Sequence, residues 1–409
     1  MVGRLWRGET LVVTLRDNMD SIGSSGEVPE APVRHTADAA DDNLCVDRGT
    51  CYVHFAYDIG LSIDLAEAER RISTTVQRGS IRHKRRAPIY FEYQSPPLRV
   101  VQTREPLTIG EHVADAAVDL VIYDFGAVSV IYRVPLSGPT ERLLQLGDQL
   151  YDNAALLADS RMHVEQLLST IEPAIHRPRI ADFVEDYVVY QFEAVSPSCT
   201  PDEMLALHGP RLAQVLRAES APLSREETTE ALASRVAYGL SDVTVIDWNA
   251  ALVLDTNADA VLAVLEYANV ELLEVRYLDN QLDFALVQAY DAFSRRNWRT
   301  LWPSRSRSAD LRNVAELQLA SAVLFEGVNN ALKLFGDQYL ARVYRLAGRR
   351  LHLDSWDANI LRKLSTLESI YQKMSNEQST QRMELLEVII IVLFVVSIVV
   401  SILPGLTGH

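Results

Sequence analysis

Hydrophobic and polar positions change their spacing along this chain, and the changes divide it. Tyr52 to Ile59 alternates between polar and apolar or aromatic residues and reads as a strand. Asp64 is placed to cap a helix running to about Gln77, with Leu65, Ala68 and Ile72 on one face. Ile89 to Tyr93 and Leu98 to Gln102 form a second strand region, interrupted by Pro96-Pro97, which fits only an edge or a bulge. Val118 to Val134 carries the strongest strand pattern in the chain, with Gly126 marking a tight turn or bulge. Pro139 to Thr170 is helical in spacing, and Phe183 to Ala194 alternates again. The order strand, helix, strand, strand, helix, strand predicts an α+β fold with a ferredoxin-like, split βαβ domain. Helical stretches from Pro201 to Leu216 and Arg225 to Tyr238, then a strand from Val243 to Leu254, extend it.

After Asp255 the β pattern stops. Leu262, Leu265, Leu272, Val275, Leu282 and Leu286 recur at helical spacing through Ala258 to Arg296, without Pro or Gly. Leu311 to Arg350 and Trp356 to Arg382 repeat the behaviour, predicting three long antiparallel helices. The third runs into Leu385 to Leu403, whose only charge is Glu387. At ~1.5 Å per residue that stretch reaches ~28 Å and reads as one C-terminal transmembrane helix. The expected domains are therefore an acidic disordered extension over 1–50, an α/β domain over 51–256, a helical stalk over 257–383, a transmembrane helix over 384–404 and a short tail over 405–409. Arg362, Lys363, Lys373 and Arg382 precede the span and no Lys or Arg follows it, which places the bulk of the chain in the cytoplasm by the positive-inside rule.

Helical rise brings the turn between the first two long helices back to the membrane surface. That turn holds Arg295, Arg296, Arg299, Arg305, Arg307 and Arg312 around Trp298 and Trp302, a combination suited to anionic lipid headgroups. The alternative is a solvated turn whose Trp side chains cap the bundle. A second basic run, Arg78, Arg82, Lys84, Arg85 and Arg86, is a candidate contact for an unknown protein or RNA partner, or a solvated loop. Ser397 and Ser401 lie four apart on one face of the span, a spacing for close helix packing or for a pore lining.

Composition adds exclusions. The formal net charge of -16 disfavours a surface built wholly for nucleic acid. Three cysteines, Cys45, Cys51 and Cys199, make no even disulfide framework and no zinc pattern. The chain has no Walker loop, no dinucleotide fingerprint after a strand and no nucleophile elbow. Its nine His are scattered, and His54 within a strand reads as a satisfied core residue. Asp115 with Asp119, and Glu266 with Asp279 and Asp283, sit at helix-like spacing and read as solvated faces. No catalytic residue, cofactor site or metal site is predicted.

Two motifs carry a family resemblance. Phe125-Gly126-Ala127-Val128-Ser129-Val130-Ile131-Tyr132 resembles the apolar strand of the "required for meiotic nuclear division" family, and Arg382-Met383-Glu384-Leu385-Leu386-Glu387-Val388-Ile389-Ile390-Ile391 resembles its ending. The resemblance covers the chain from about residue 51 onward. It implies a membrane-anchored homo-oligomer without established catalytic activity, whose mitochondrial members are tied to organellar translation. Val388 departs from the family's usual Trp, and Ser397 from its frequent acidic residue.

Together these readings predict a homo-oligomeric scaffold or interaction protein, not an enzyme, with a cytoplasmic α/β domain and membrane lipids and itself as partners. The acidic N-terminal region favours a bacterial plasma membrane over the mitochondrial inner membrane. The alternative is an oligomeric channel or transporter with one span per subunit, whose lining would be Ser397 and Ser401.

Overall fold

The structure is a computed structural model, and it describes residues 44–72, 76–78, 96–294 and 338–373, together with 317 and 322. The chain enters through β1 (Cys45–Asp58), a 14-residue strand, and turns into the short β2 (Ser62–Ile63). Asp64 then accepts from the backbone N–H groups of Ala66 and Glu67, which starts α1 (Leu65–Arg71). Next come β3 (Val76–Arg78), β4 (Leu98–Thr103), the small hairpin of β5 (Thr108–Ile109) and β6 (His112–Val113), then β7 (Ala117–Ile122) and β8 (Ala127–Pro139). Helices α2 (Thr140–Leu150) and α3 (Ala154–Ile171) follow, the second capped by Asn153. The chain returns through β9 (Ile175–His176) into β10 (Val184–Ser196). A Thr200/Glu203 capping box opens α4 (Pro201–Arg217), after which come α5 (Arg225–Ala231), β11 (Arg235–Val236), β12 (Val243–Ile246) and β13 (Ala250–Leu254). Three helices close the described chain: α6 (Asp259–Ser294), α7 (Gln338–Arg350) and α8 over 353–373.

Nine strands form one mixed sheet in the order β11-β12-β13-β10-β1-β8-β7-β4-β3. Strand β1 lies at its centre, antiparallel to β8 on one side and β10 on the other, and β10–β13 is the parallel pair. The strands β2 and β9 pair outside this sheet. This arrangement corrects the ferredoxin-like reading. Val118 to Val134 is two strands, β7 and β8, joined by a hairpin turn, and Val243 to Leu254 is the hairpin β12–β13. At the β7–β8 turn Gly126 has φ +106°, and a Cβ there would lie 1.9 Å from the Gly60 carbonyl oxygen. Only glycine satisfies both demands.

Period-two alternation sends side chains to two separate cores. Cys51, Val53, Phe55 and Tyr57 of β1, Val128 to Val134 at even positions of β8, and Val188, Tyr190 and Phe192 of β10 face α1 to α4. Ala56, Val121, Ile131, Tyr187, Val189, Ala251 and Val253 face the other way, onto Val261, Val264, Leu265, Ala268 and Leu273 of α6. Further along, Leu278, Leu282 and Ala289 belong to the same core as Val343 of α7 and Ile360 and Leu367 of α8. The first half of α6 therefore covers the sheet, and its second half packs in the helical layer.

The expected membrane anchor and plasma-membrane location are also corrected. Among the described residues no helix is long and apolar enough to cross a membrane. The longest, α6, has 36 residues but distributes Glu266, Glu271, Glu274, Arg276, Asp279, Asp283 and Asp291 along its length. The stretch 385–403, with Ser397 and Ser401, lies outside the described residues, as do 1–43.

Candidate functional site

Alternation that drives apolar residues into the α6 face of the sheet carries polar ones with them. His54 and Asp58 of β1, Asp119 of β7, Ser129 of β8 and Glu185 of β10 are all buried, and α6 answers with buried Glu266, Asn269, Glu271 and Glu274. The result is a polar seam inside an otherwise apolar interface. Tyr123 donates its hydroxyl to Glu266 Oε1 at 3.1 Å, and Arg99 stands 3.9 Å from Oε2. Burial pushes the Glu266 carboxyl up to about 7, against the pull of Arg99 and the Tyr123 bond. His54 has no hydrogen-bond partner on either ring nitrogen among the described residues, and burial, then the Arg99 charge, pushes it down to about 3. It is neutral at ordinary pH. Asp119 is ion-paired to Arg133, and Glu185 to Arg276.

The seam opens to solvent where β1 ends. Asp58 is followed by a sharp turn in which Ile59 N–H donates to Gly126 O at 2.9 Å, and the Arg179 and Ala181 N–H groups donate to Ile59 O and Asp58 O. Gly60 is required there, since a Cβ would sit 2.4 Å from Ile175 Cγ2. These backbone bonds hold Arg179 beside the strand end, with Nη2 3.5 Å from Asp58 Oδ1 and its guanidinium carbon 5.0 Å above the Tyr277 ring. A cleft of about 40 Å³ forms between Asp58, Gly60, Leu61, Phe125 and Arg179 on one side and Glu274, Tyr277, Leu278 and Gln281 of α6 on the other. Glu274 is 8% exposed, and its Oε1 has no hydrogen-bond partner among the described residues. Burial raises the carboxyls of both Asp58 and Glu274, Arg179 opposes the shift, and each acid is also in reach of the other's charge or of the same guanidinium.

Elsewhere, fully buried Asp247 accepts from Arg217 Nε at 2.9 Å and Arg350 Nε at 2.7 Å, while Arg350 Nη1 reaches Glu230 Oε1 at 2.9 Å. This clasp joins α4, α5, α7 and the β12–β13 turn. Under α3, Asp159 accepts from Tyr132 at 2.7 Å and stands 3.3 Å from His163 Nε2, a closed network that locks the helix onto the sheet. At the surface, Phe284, Val287 and Tyr290 on the distal half of α6 are 65%, 62% and 68% exposed.

Among the residues singled out from sequence, Arg78 ends β3 opposite Leu98. Arg82, Lys84, Arg85 and Arg86 lie outside the described residues, as do Arg295, Arg296, Trp298, Arg299, Trp302, Arg305, Arg307, Ser397 and Ser401. Asp119 is on a strand, not a helix, and Glu266 is buried. Asp279 and Asp283 share Lys363 of α8 at 2.7 and 2.6 Å. Among the described residues no three His, Cys, Asp or Glu side chains are placed to hold a metal ion. Sequence reading missed Asp58, Arg179 and Glu274. The available signal was a charged residue at an inward position of a strong strand.

Residues 48–260 match the family model described as "Uncharacterized protein MJ0711, N-terminal domain". The uncharacterized protein MJ0711 of Methanocaldococcus jannaschii is 26% identical over 224 residues, which cover 54% of this chain and 66% of that protein, just under two thirds of its length. No solved structure matches. These matches correct the resemblance to the meiotic nuclear division family, to which nothing here points. Its two motifs were an apolar strand and an apolar run, patterns that buried strands of unrelated folds share.

Proposed function

This chain belongs to the family of the uncharacterized MJ0711 N-terminal domain, and from that premise we propose that it is a homo-oligomeric scaffold or interaction protein, not an enzyme, whose self-docking surface lies on the distal half of α6. The observation that carries the reading is the exposed row of Phe284, Val287 and Tyr290. These residues stand on a helix whose other side is buried against the core shared with α7 and α8 through Leu278, Leu282 and Ala289. Contiguous large apolar side chains of this kind mark contact surfaces. The row is also self-complementary. Phe284 and Tyr290 lie three residues either side of Val287, so a two-fold antiparallel pairing sets Val287 against its copy and Phe284 against Tyr290.

Sedimentation equilibrium of the full-length chain tests this. The wild type is expected to self-associate, more strongly as salt screens its net charge of -16. Val287→Asp is expected to weaken association at least about tenfold, the loss of roughly 1.4 kcal/mol at the centre of the patch. A monomeric wild type, or a variant that associates equally well, overturns the reading.

A further inference from the structure

We propose that the exposed face of α7 binds the phosphate backbone of single-stranded nucleic acid. At about 100° per residue, Arg342, Arg345 and Arg349 fall on one row of this helix, opposite the buried Leu340, Val343, Tyr344 and Ala347. All three are exposed, and none has an acidic partner among the described residues. The Nε–H groups of Arg345 and Arg349 donate to Ala341 O at 3.1 Å and Arg345 O at 3.3 Å, and the Arg342 guanidinium carbon lies 5.7 Å from the centre of the Tyr339 ring. Elsewhere exposed arginines sit against carboxylates, as Arg48 does on Glu193, Arg104 on Asp159 and Arg161 on Glu165. In a chain of net charge -16, three neighbouring arginines without a carboxylate make a local cationic stripe that a polyanion complements.

The surroundings of the row narrow the polyanion. Guanidinium groups suit phosphates and carboxylates alike, and from Arg342 to Arg349 the helix rises about 10 Å, enough for each to meet a different anion of one strand. Bases are what separate a nucleic acid from an acidic peptide, and an aromatic platform stands at the N-terminal end of the row. Tyr339, on the turn before Arg342, meets Tyr238 edge to face at 5.2 Å, and Tyr238 is 39% exposed. The Tyr238 and Gly239 N–H groups donate to Asp242 at 2.7 and 2.6 Å, and in the loop they close Leu240 stands 95% exposed. These bonds engage both oxygens of Asp242, an acid that would otherwise repel a phosphate there. A cationic row beside exposed aromatic and apolar side chains is the arrangement single strands use, phosphates on the cations and unstacked bases on the rings. A duplex keeps its bases stacked and offers nothing to Tyr238. The net charge of the chain repels any polyanion at long range, so binding is strongest at low salt only through the stripe itself.

Fluorescence anisotropy of the full-length chain with labelled oligouridylate and oligothymidylate of about eight nucleotides tests the surface, and the tighter of the two identifies the sugar. Saturable binding is expected, with log affinity falling against log salt at a slope of about -2, the value for three phosphates of a single strand. Arg342→Gln, Arg345→Gln and Arg349→Gln together are expected to weaken binding at least about tenfold and to flatten the slope. These side chains are exposed, so the fold is retained. The basic runs at 78–86 and 295–312 stay intact in that variant, so wild-type affinity in it would assign the ligand to them and overturn the proposal. Tyr238→Ala is expected to weaken binding about tenfold with the slope unchanged, which separates stacking from charge. Polyglutamate matched in charge is expected not to displace the oligonucleotide. Equal displacement would make the row a docking face for an acidic protein and overturn the proposal, as would equal binding of a duplex or no saturable binding at low salt. Val287→Asp leaves the row untouched, so the outcome is independent of the α6 interface.

Discussion

Glu271 sits on the side of α6 that meets α7, almost wholly buried, with the Tyr344 hydroxyl donating to Oε2. Burial pushes its carboxyl up to about 8, with Asp357 and Asp354 adding to the rise. A folded-state value above the ordinary range means the native protein holds a proton that the unfolded chain releases. The associated stability is complete below about pH 4.5 and is lost as pH rises through about 8. Glu271→Gln mimics the protonated form, so it is expected to match the wild type at about pH 4.5 and to exceed it by a few kcal/mol at about pH 9. Urea midpoints at the two pH values check this, and a pH-independent difference would refute it. Such residues show how far a site is legible in one sequence. His54 and Asp58 interrupt the run YVHFAYD at inward positions of β1, where a polar residue already signals a buried role. Glu266 and Glu274 give no such signal, because on a helix their spacing is equally that of a solvated face. Their burial follows from the sheet that α6 crosses, which local pattern does not encode.

Among elements, the helix α6 is legible because nothing breaks its spacing from Asp259 to Ser294, and the alternation of β8 and β10 is legible for the same reason. Neighbour order is not. The central place of β1 rests on a register running from Cys45 to Tyr57 against β10 and to Asp58 against β8, set by contacts between residues far apart in sequence. Strand order read from chain order alone therefore produced the wrong sheet. Docking of α7 is likewise non-local and hangs on Asp247, whose carboxylate receives both Arg217 and Arg350. Removing one partner of a buried ion cluster strands the others, typically at about 3–5 kcal/mol. Asp247→Ala is expected to cost about that much in urea unfolding, and Arg350→Met, which keeps the apolar stem, less. In hydrogen exchange α7 should lose protection before the central strands do. Equal protection in α7 would show that apolar contacts through Val343 and Ala347 hold it alone.

On the scale of the whole molecule, the sheet has two apolar faces, and the matched family region ends at 260, where α6 has only begun. Helices α1 to α4 cover the first face from within that region. The second face, with Ala56, Val121, Ile131, Tyr187, Val189, Ala251 and Val253, depends on α6 and the helices packed against it. A nine-stranded sheet with such a face bare cannot remain in water as a folded unit, since each large side chain uncovered forfeits roughly 1.5–3 kcal/mol. The polar seam makes the loss less simple than solvent exposure of a core. Freed from α6, Asp58 and Glu185, whose carboxyls burial raises, gain water and ionise more readily, which favours a loosened sheet over an aggregated native-like one. A chain of residues 44–255 is therefore expected to bind a hydrophobic dye strongly and to unfold without a cooperative transition, whereas 44–373 unfolds cooperatively. A cooperative transition in the shorter chain would mean that the first core alone stabilises the sheet, and that α6 is an attachment instead of a structural layer.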